Sequence, residues 1–458
     1  MTKKVLGLFS IVMINVVAVD SLRSLPFSAE YGFSLVFYYA LAAIFFFLPV
    51  AFVAAELATA WPAKGGIYVW VREAFGEKWG FVVIWLQWIY NVVWYPTIMA
   101  FMAGAFAFLI DPHLAQDKFY MLSTVFIVFW AATIVNMFGM RLSSWVTSIG
   151  AVVGTLVPML FIIILGVIWL WSGKPIQIHF TEKALLPNLA SFENLAFMTA
   201  ILFGLVGMEL SATHADEVKN PKRIFPRAIT YSAIIILSSL VLASLAIAIV
   251  VPQRQLDVVT GMLQAFYIFF HSYNMKWMDP VIVLLIIIGG IAGVSAWVIG
   301  PTKGLLVATR DGCAPKFFAK VNKKDVPVVI LILQGIIFTI LCGVFLIMPT
   351  VQSSYWALTV MTSQLSMLVY IGMFAGAIYL RYKKPDVIRQ YKIPFGNIGM
   401  WIAGIFGLFS CIVAIMIGFF PPADLHIHNL FTYESILIIG MLVLTAPPLL
   451  IYRFTKNH

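Results

Sequence analysis

Two short runs far apart in the 458-residue chain carry the same order of residue types. Asn15-Val16-Val17-Ala18-Val19-Asp20 and Gly204-Leu205-Val206-Gly207-Met208-Glu209 each read small or polar, two apolar, small, apolar, acid. Each lies inside a long apolar stretch, where an acid is costly and marks a place at which charge is handled. Gly204 and Gly207 each lower helix propensity by about 1 kcal/mol relative to Ala. Alone they would read as small residues that let helices pack closely. The matching run at 15–20 predicts instead that both helices unwind side by side at mid-membrane. Unwound backbone cannot be satisfied by lipid, so it must line an enclosed or water-filled cavity.

Such a cavity suits one class of solute. An α-amino acid carries a carboxylate and an ammonium about 3 Å apart. The N-terminal end of a half-helix offers N–H groups and partial positive charge, and a C-terminal end offers carbonyls and partial negative charge. The expectation is that backbone around Ala18, Val19 and Asp20 holds the carboxylate. Carbonyls around Phe203, Gly204 and Gly207 would hold the ammonium, with Ile14 and Asn15 completing the contacts.

Asp20 and Arg23 are three residues apart, so on a helical turn they can pair. Paired only with each other they are structural; otherwise they act at the substrate or an outer gate. Glu56, near the inner end of the second apolar stretch, reads as an interfacial anchor or gate partner. Glu209 has no cation within a turn and is a candidate for proton uptake during conformational change; the alternative is a carboxylate held permanently by backbone N–H groups. Phe203 and Trp297, as aromatics in apolar stretches, read by themselves as packing. His426 and His428 could share a face only if extended, and two ligands make no closed metal site; His214 reads as an interfacial histidine. The motifs H-E-x-x-H, G-x-x-x-x-G-K and G-x-S-x-G do not occur in the sequence, so neither ATP use nor hydrolysis nor any cofactor is implied.

Composition says what must position these residues. The chain is 62% apolar and 10% charged, with mean hydropathy +0.98, against roughly a quarter charged in soluble domains. A water-soluble fold is excluded. At about 20 apolar residues per span, twelve spans can be marked between about residues 5 and 454. Runs apolar at every position, such as 281–294, make them helices rather than barrel strands. The prediction is one all-α transmembrane domain, with a first repeat over about 5–172, a second over about 193–381, and two extra helices over about 396–454.

A net charge of +10 could suggest nucleic acid, but position decides. With the N-terminus inside, only Lys118, Lys174, Lys183, Arg254 and Lys276 fall outside, and Arg23 falls in the membrane. The other basic residues gather on the cytoplasmic side, so the surplus sets topology, both termini face the cytoplasm, and no nucleic acid partner is implied. Lys3 and Lys4 before an apolar run imitate a secretory signal, but no small-residue cleavage site follows. Cys313, Cys342 and Cys411 leave no external pair for a disulfide.

The segment from Gly207 to Pro221, GMELSATHADEVKNP, resembles the G-V-E-x-x-A-x-x-x-x-E-x-x-N-P segment of the amino acid, polyamine and organocation superfamily, and within it most resembles the bacterial glutamate:GABA antiporters. YGFSLVF at 31–37, PAKGGIYVW at 62–70, SAWVIGP at 295–301 and AKVNK at 319–323 agree. The resemblance spans essentially the whole chain. It implies twelve helices, an inverted five-plus-five repeat with the first and sixth helices broken, alternating access, and exchange of an external amino acid for an internal product. By the same resemblance Glu209 is the acid that couples gating to protonation, Phe203 the aromatic gate over the substrate, and Trp297 the inner-gate tryptophan. Three departures matter. The run at 15–20 lacks the glycine-rich G-S-G break. Ser148 stands where proton-coupled relatives carry lysine, which argues against a lysine-based proton mechanism. The antiporters' C-terminal plug has no counterpart after Lys456, Asn457 and His458, so acid gating by a plug is not assumed.

The expected function is secondary transport in a bacterial inner membrane, exchanging a glutamate-like or neutral amino acid for an internal amino acid or decarboxylation product. Polyamine or cationic amino acid exchange and proton-coupled symport are alternatives; a membrane enzyme would need a catalytic cluster. The partners are the amino acid or amine, the surrounding lipid and protons.

Overall fold

The computed structural model describes residues 6–62, 65–137, 150, 152–187, 195–211, 218–323, 326–422, 425, 427 and 429–457, with backbone alone at 135–136, 295–296, 299–300, 303 and 457. Ser148, His214, His426 and His428 lie outside these residues, as do Lys3, Lys4, Lys64, Arg141, Lys324 and the 212–217 part of the GMELSATHADEVKNP segment.

The apolar runs are helical because a helix pairs its backbone within its own segment and leaves apolar side chains to lipid or to neighbours. In chain order they are α1 (Leu8–Val19, resuming at Leu22–Ala29), α2 (Gly32–Ala60), α3 (Glu77–Ile110), α4 (Lys118–Ile134), α5 (Val152–Trp171), α6 (Ala196–Ser211), α7 (Pro221–Ala248), α8 (Asp279–Arg310), α9 (Val328–Ile347), α10 (Val351–Lys383), α11 (Gly396–Ile417) and α12 (Leu430–Lys456). Among the described residues nine are long and apolar enough to cross a membrane unaided; α1 qualifies as a pair bent by 40°, and α4 and α6 are shorter. Among the described residues the structure is helical and has no strand, apart from an isolated bridge between Leu6 and Val218, where the Lys219 N–H donates to the Leu6 carbonyl at 3.2 Å. That bridge ties the chain entering α1 to the chain leaving α6.

α3 and α10 form the middle of the bundle, packing on each other, and α3 packs on α8 as well. Two local devices set the helices around them. On α5 a Cβ at Gly154 would lie 2.2 Å from the Gly289 Cα on α8, so this crossing needs glycine on both sides. On α2, Pro49 has no N–H for the Phe45 carbonyl one turn back. The helix widens to a π turn at Ala43–Phe47, and Ser410 of α11 donates to the freed carbonyl at 3.0 Å. The turn seats Phe46 edge-on against Tyr370 of α10, centroids 5.2 Å apart.

Candidate functional site

α1 and α6 both break, at different points in the matched runs. α1 stays helical to Val19; Asp20 (ψ 121°) and Ser21 (φ −140°, ψ 122°) are extended, and a turn at Leu22–Ser24 restarts the helix. The run at 15–20 is therefore helical except for its last residue, which corrects the expected position. The reason lies in α7. Asn15 Nδ2 donates to Ser232 Oγ at 3.0 Å, so the amide donor of this side chain is served from outside and does not compete for the carbonyls of its own helix. Downstream, Ser24 Oγ donates to the Ser21 carbonyl at 2.8 Å, and Pro26 could not pair with the Leu22 carbonyl in a continuous helix. α6 breaks where its glycines indicate: the α-helix ends at Gly204, a turn covers 205–207, and 3₁₀ geometry follows. Gly207 has φ +128°, a region that L side chains rarely adopt.

The breaks touch. A Cβ on Gly207 would sit 3.0 Å from the Ala18 carbonyl oxygen, and one on Gly204 would sit 3.4 Å from Ser24 Cβ and Oγ. Because the first half of α1 ends at Val19, Ala18 and Val19 present carbonyl oxygens to the break, the negative pole of that half-helix. The backbone polarity there is the reverse of the expected one: Ala18 and Val19 offer carbonyl oxygens, and the N–H groups at the start of the next turn belong to Ser21, Leu22 and Arg23. On α6 the Phe203 carbonyl already accepts from Val206 N–H at 3.1 Å.

Asp20 and Arg23 do not pair. The Asp20 carboxylate oxygens both lie 3.1 Å from Ser239 Oγ on α7. Arg23 Nη1 donates to Thr359 Oγ1 of α10 at 3.3 Å, and its guanidinium lies over the rings of Phe203 (5.5 Å) and Tyr355 (5.8 Å). The extended backbone at 20–21 is what separates them, turning one side chain to α7 and the other to α10. Glu209 is buried. Its Oε2 accepts from the Tyr370 hydroxyl at 2.6 Å, and the same hydroxyl accepts from Gly207 N–H at 3.3 Å. Tyr90 of α3 stands within electrostatic reach of that carboxylate. Ile14, Ala18, Phe203, Gly204 and Trp297 are half-buried, and Asn15, Val19, Asp20, Arg23, Gly207 and Glu209 are buried.

The structure thus brings together the α1 residues, Phe203, Gly204, Gly207 and Glu209. Trp297 serves a different contact, joining α8 to α3: its ring faces Trp94 at 6.4 Å and its carbonyl accepts from the Tyr95 hydroxyl at 3.2 Å. Glu56 is part of a buried cluster at the end of the bundle where the basic residues of α10 lie. Arg381 Nε donates to its Oε1 at 2.6 Å and Nη2 to its Oε2 at 2.5 Å; Arg389 Nε lies 3.3 Å from Oε1, and Ile393 N–H donates to Oε2 at 2.8 Å. At the opposite end, Asp257 in the loop after α7 accepts from Val259 N–H (2.8 Å), Thr260 N–H (3.0 Å) and Gln352 Nε2 of α10 (2.8 Å). Burial raises its carboxyl above the usual range, against those donors.

Sequence reasoning missed Ser232, Ser239, Thr359, Tyr355 and Tyr370. The one signal was the density of hydroxyls in α10, where Thr359, Thr362, Ser363, Ser366 and Tyr370 interrupt an apolar span.

The family described as amino acid permease matches residues 6–443 of the chain. The chain is 55% identical over 457 residues to an uncharacterized transporter of Legionella pneumophila, covering 100% of this chain and 98% of that one. It is 31% identical over 458 residues to a glutamate/gamma-aminobutyrate antiporter of Lactococcus lactis, covering 99% and 91%. A crystal structure of a mutant manganese transporter from Eremococcus coleocola is similar over 97% of this chain and 94% of that chain, with a TM-score of 0.60 and 12% identity. At that identity the likeness concerns the fold alone.

Proposed function

The chain belongs to the amino acid permease family, and from that premise we propose that it is a secondary exchanger, carrying an amino acid across the membrane by alternating access in return for an internal amino acid or amine. The observation that carries this reading is the meeting of opposite backbone poles where α1 and α6 break. A zwitterion fits them, its ammonium on the Ala18 and Val19 carbonyls and the Gly204 end of α6, its carboxylate on the N–H groups from Ser21 to Arg23. The task of such a site is binding and release, with no bond to break. The antiporter among the similar proteins supports exchange over one-way transport. The reading includes an inverted repeat over about 5–172 and 193–381, a bacterial inner membrane, and both termini in the cytoplasm.

Gating follows from the same contacts. Arg23 and Phe203 lie beyond the α1 break and would cover the substrate on one side. On the other side, the Leu6–Val218 bridge and the Glu56–Arg381 pair hold α1 to α6 and α2 to α10, and these would part for release. Trp297, bound to α3, would form a wall of the inner path. Reconstituted protein loaded with an unlabelled amino acid should accumulate the labelled one by counterflow. If no amino acid or amine exchanges under any gradient or pH, the transport reading fails; preference for agmatine or putrescine would move it to polyamine exchange, with Asp20 or Glu209 facing the cation.

Glu209 connects the break to protons in this reading. Tyr370 links the Gly207 N–H to its carboxylate through one hydroxyl. A protonated Glu209 no longer requires the phenol's proton, which frees Tyr370 to turn and release the break. Glu209→Gln, which mimics the neutral acid, should keep binding and lose much of the pH dependence of exchange. An unchanged pH profile in this variant would remove Glu209 from proton sensing.

A further inference from the structure

Arg23 is 3% exposed, and a guanidinium taken from water is expensive unless an anion or a full set of acceptors replaces it. Its surroundings supply neither. Thr359 Oγ1 takes one Nη1 hydrogen at 3.3 Å, the Tyr355 hydroxyl stands within reach of the guanidinium, the neutral rings of Phe203 and Tyr355 cover its faces, and among the described residues its buried Nε has no hydrogen-bond partner. No carboxylate lies within ion-pair distance of it among the described residues. The acids of the region are engaged by other donors: Asp20 by Ser239, Glu209 by Tyr370, and Asp257 by Val259, Thr260 and Gln352. The cation is therefore oriented and not neutralised. It stands in the first turn after the α1 break, where the side chain of a substrate held at the break would reach.

We propose that Arg23 is the residue that reads substrate charge, taking the side-chain carboxylate of an acidic amino acid on its Nε edge. This rests on the exchanger reading and deepens it. Phe203 and Tyr355 fix the plane of the guanidinium and Thr359 fixes its rotation. That leaves the Nε and Nη2 edge for two parallel hydrogen bonds to a carboxylate, a geometry particular to arginine. A glutamine side chain offers that edge one neutral acceptor in place of two charged ones, an apolar side chain offers none, and a cationic one adds a second positive charge to a dry site. The order of preference is acidic, then neutral, then cationic.

Counterflow of labelled glutamate, with unlabelled glutamate, glutamine and lysine as competitors, tests this. In the wild type, glutamate should compete at a concentration about tenfold or more below glutamine, with lysine weaker than both. Arg23→Gln should raise the half-saturating glutamate concentration about tenfold more than that for glutamine, over any loss of cover that both substrates share, and Arg23→Lys should restore part of that difference. Equal losses for glutamate and glutamine would overturn the proposal, because Arg23 would then hold the α-carboxylate or only the frame. If Arg23→Gln does not fold, the wild-type order decides, together with Thr359→Val, which keeps the charge, frees its rotation and should weaken glutamate alone. Wild-type exchange that favours glutamine or lysine overturns the Arg23 assignment and leaves the exchanger standing. No exchange of any amino acid overturns the exchanger itself.

Discussion

Gly207→Ala should reduce exchange at least tenfold, and Gly204→Ala should leave it within about threefold of wild type, although both glycines sit at the same break. The difference is conformational. Gly207 has φ +128°, where a side chain costs about 1–3 kcal/mol, or about 5- to 150-fold in any equilibrium. Its new methyl would also meet the Ala18 carbonyl oxygen at 3.0 Å. That oxygen belongs to the pole proposed for the ammonium, so relieving the contact moves the binding group itself. Gly204 is the last helical residue, and its methyl would meet Ser24 at an ordinary 3.4 Å. Gly204→Leu, which extends beyond that contact, should stop exchange. Initial counterflow rates, normalised to monodisperse protein, give the comparison. Exchange at the wild-type rate by Gly207→Ala would refute this account of the break.

Glu56→Gln should cost about 3–5 kcal/mol of stability, the typical loss when a buried ion pair is left with one partner. Among the described residues the carboxylate is the one anion paired with both guanidiniums, with side chains only 1% exposed for Glu56, 7% for Arg381 and 4% for Arg389. An amide preserves shape and some hydrogen bonding while leaving both cations uncompensated. Arg381→Met should cost less, because Arg389 remains beside Glu56 and itself donates to the carbonyls of Leu380, Lys384, Pro385 and Val387. Unfolding of the three proteins in the same detergent measures the order. If Glu56→Gln proved no less stable than Arg381→Met, the cluster would not be held by the charge of Glu56.

Much of the scaffold was legible because its cause is local. An all-helical membrane chain follows from hydropathy alone: backbone in lipid must pair within its own segment, whatever its neighbours are. The α6 break was legible for the same kind of reason, since Gly204 and Gly207 weaken a helix wherever they stand, and Glu209 announced itself by the cost of an acid at that depth. The α1 break was harder. Asn15 read as the start of an interruption, yet Ser232, 217 positions away, takes its hydrogen bond and the helix runs on. Ser21 and Pro26 carried the better signal.

The order of residues alone identifies the groups that need partners: Asp20, Arg23, Glu56 and Glu209 in apolar surroundings. Which partner each one takes was decided by the tertiary structure. Spacing put Asp20 beside Arg23, and helix packing gave Asp20 to Ser239 and Arg23 to Thr359, Phe203 and Tyr355. Even the polarity of the break turned on a single residue, since a helix ending at Val19 offers carbonyls where one starting there would offer N–H groups. The physical reason is range. Helix propensity and the cost of burying a charge act within a turn or within one segment. A hydrogen bond or ion pair is won at about 3 Å by whichever side chain the packing of other helices brings near, and that choice is made between residues hundreds of positions apart.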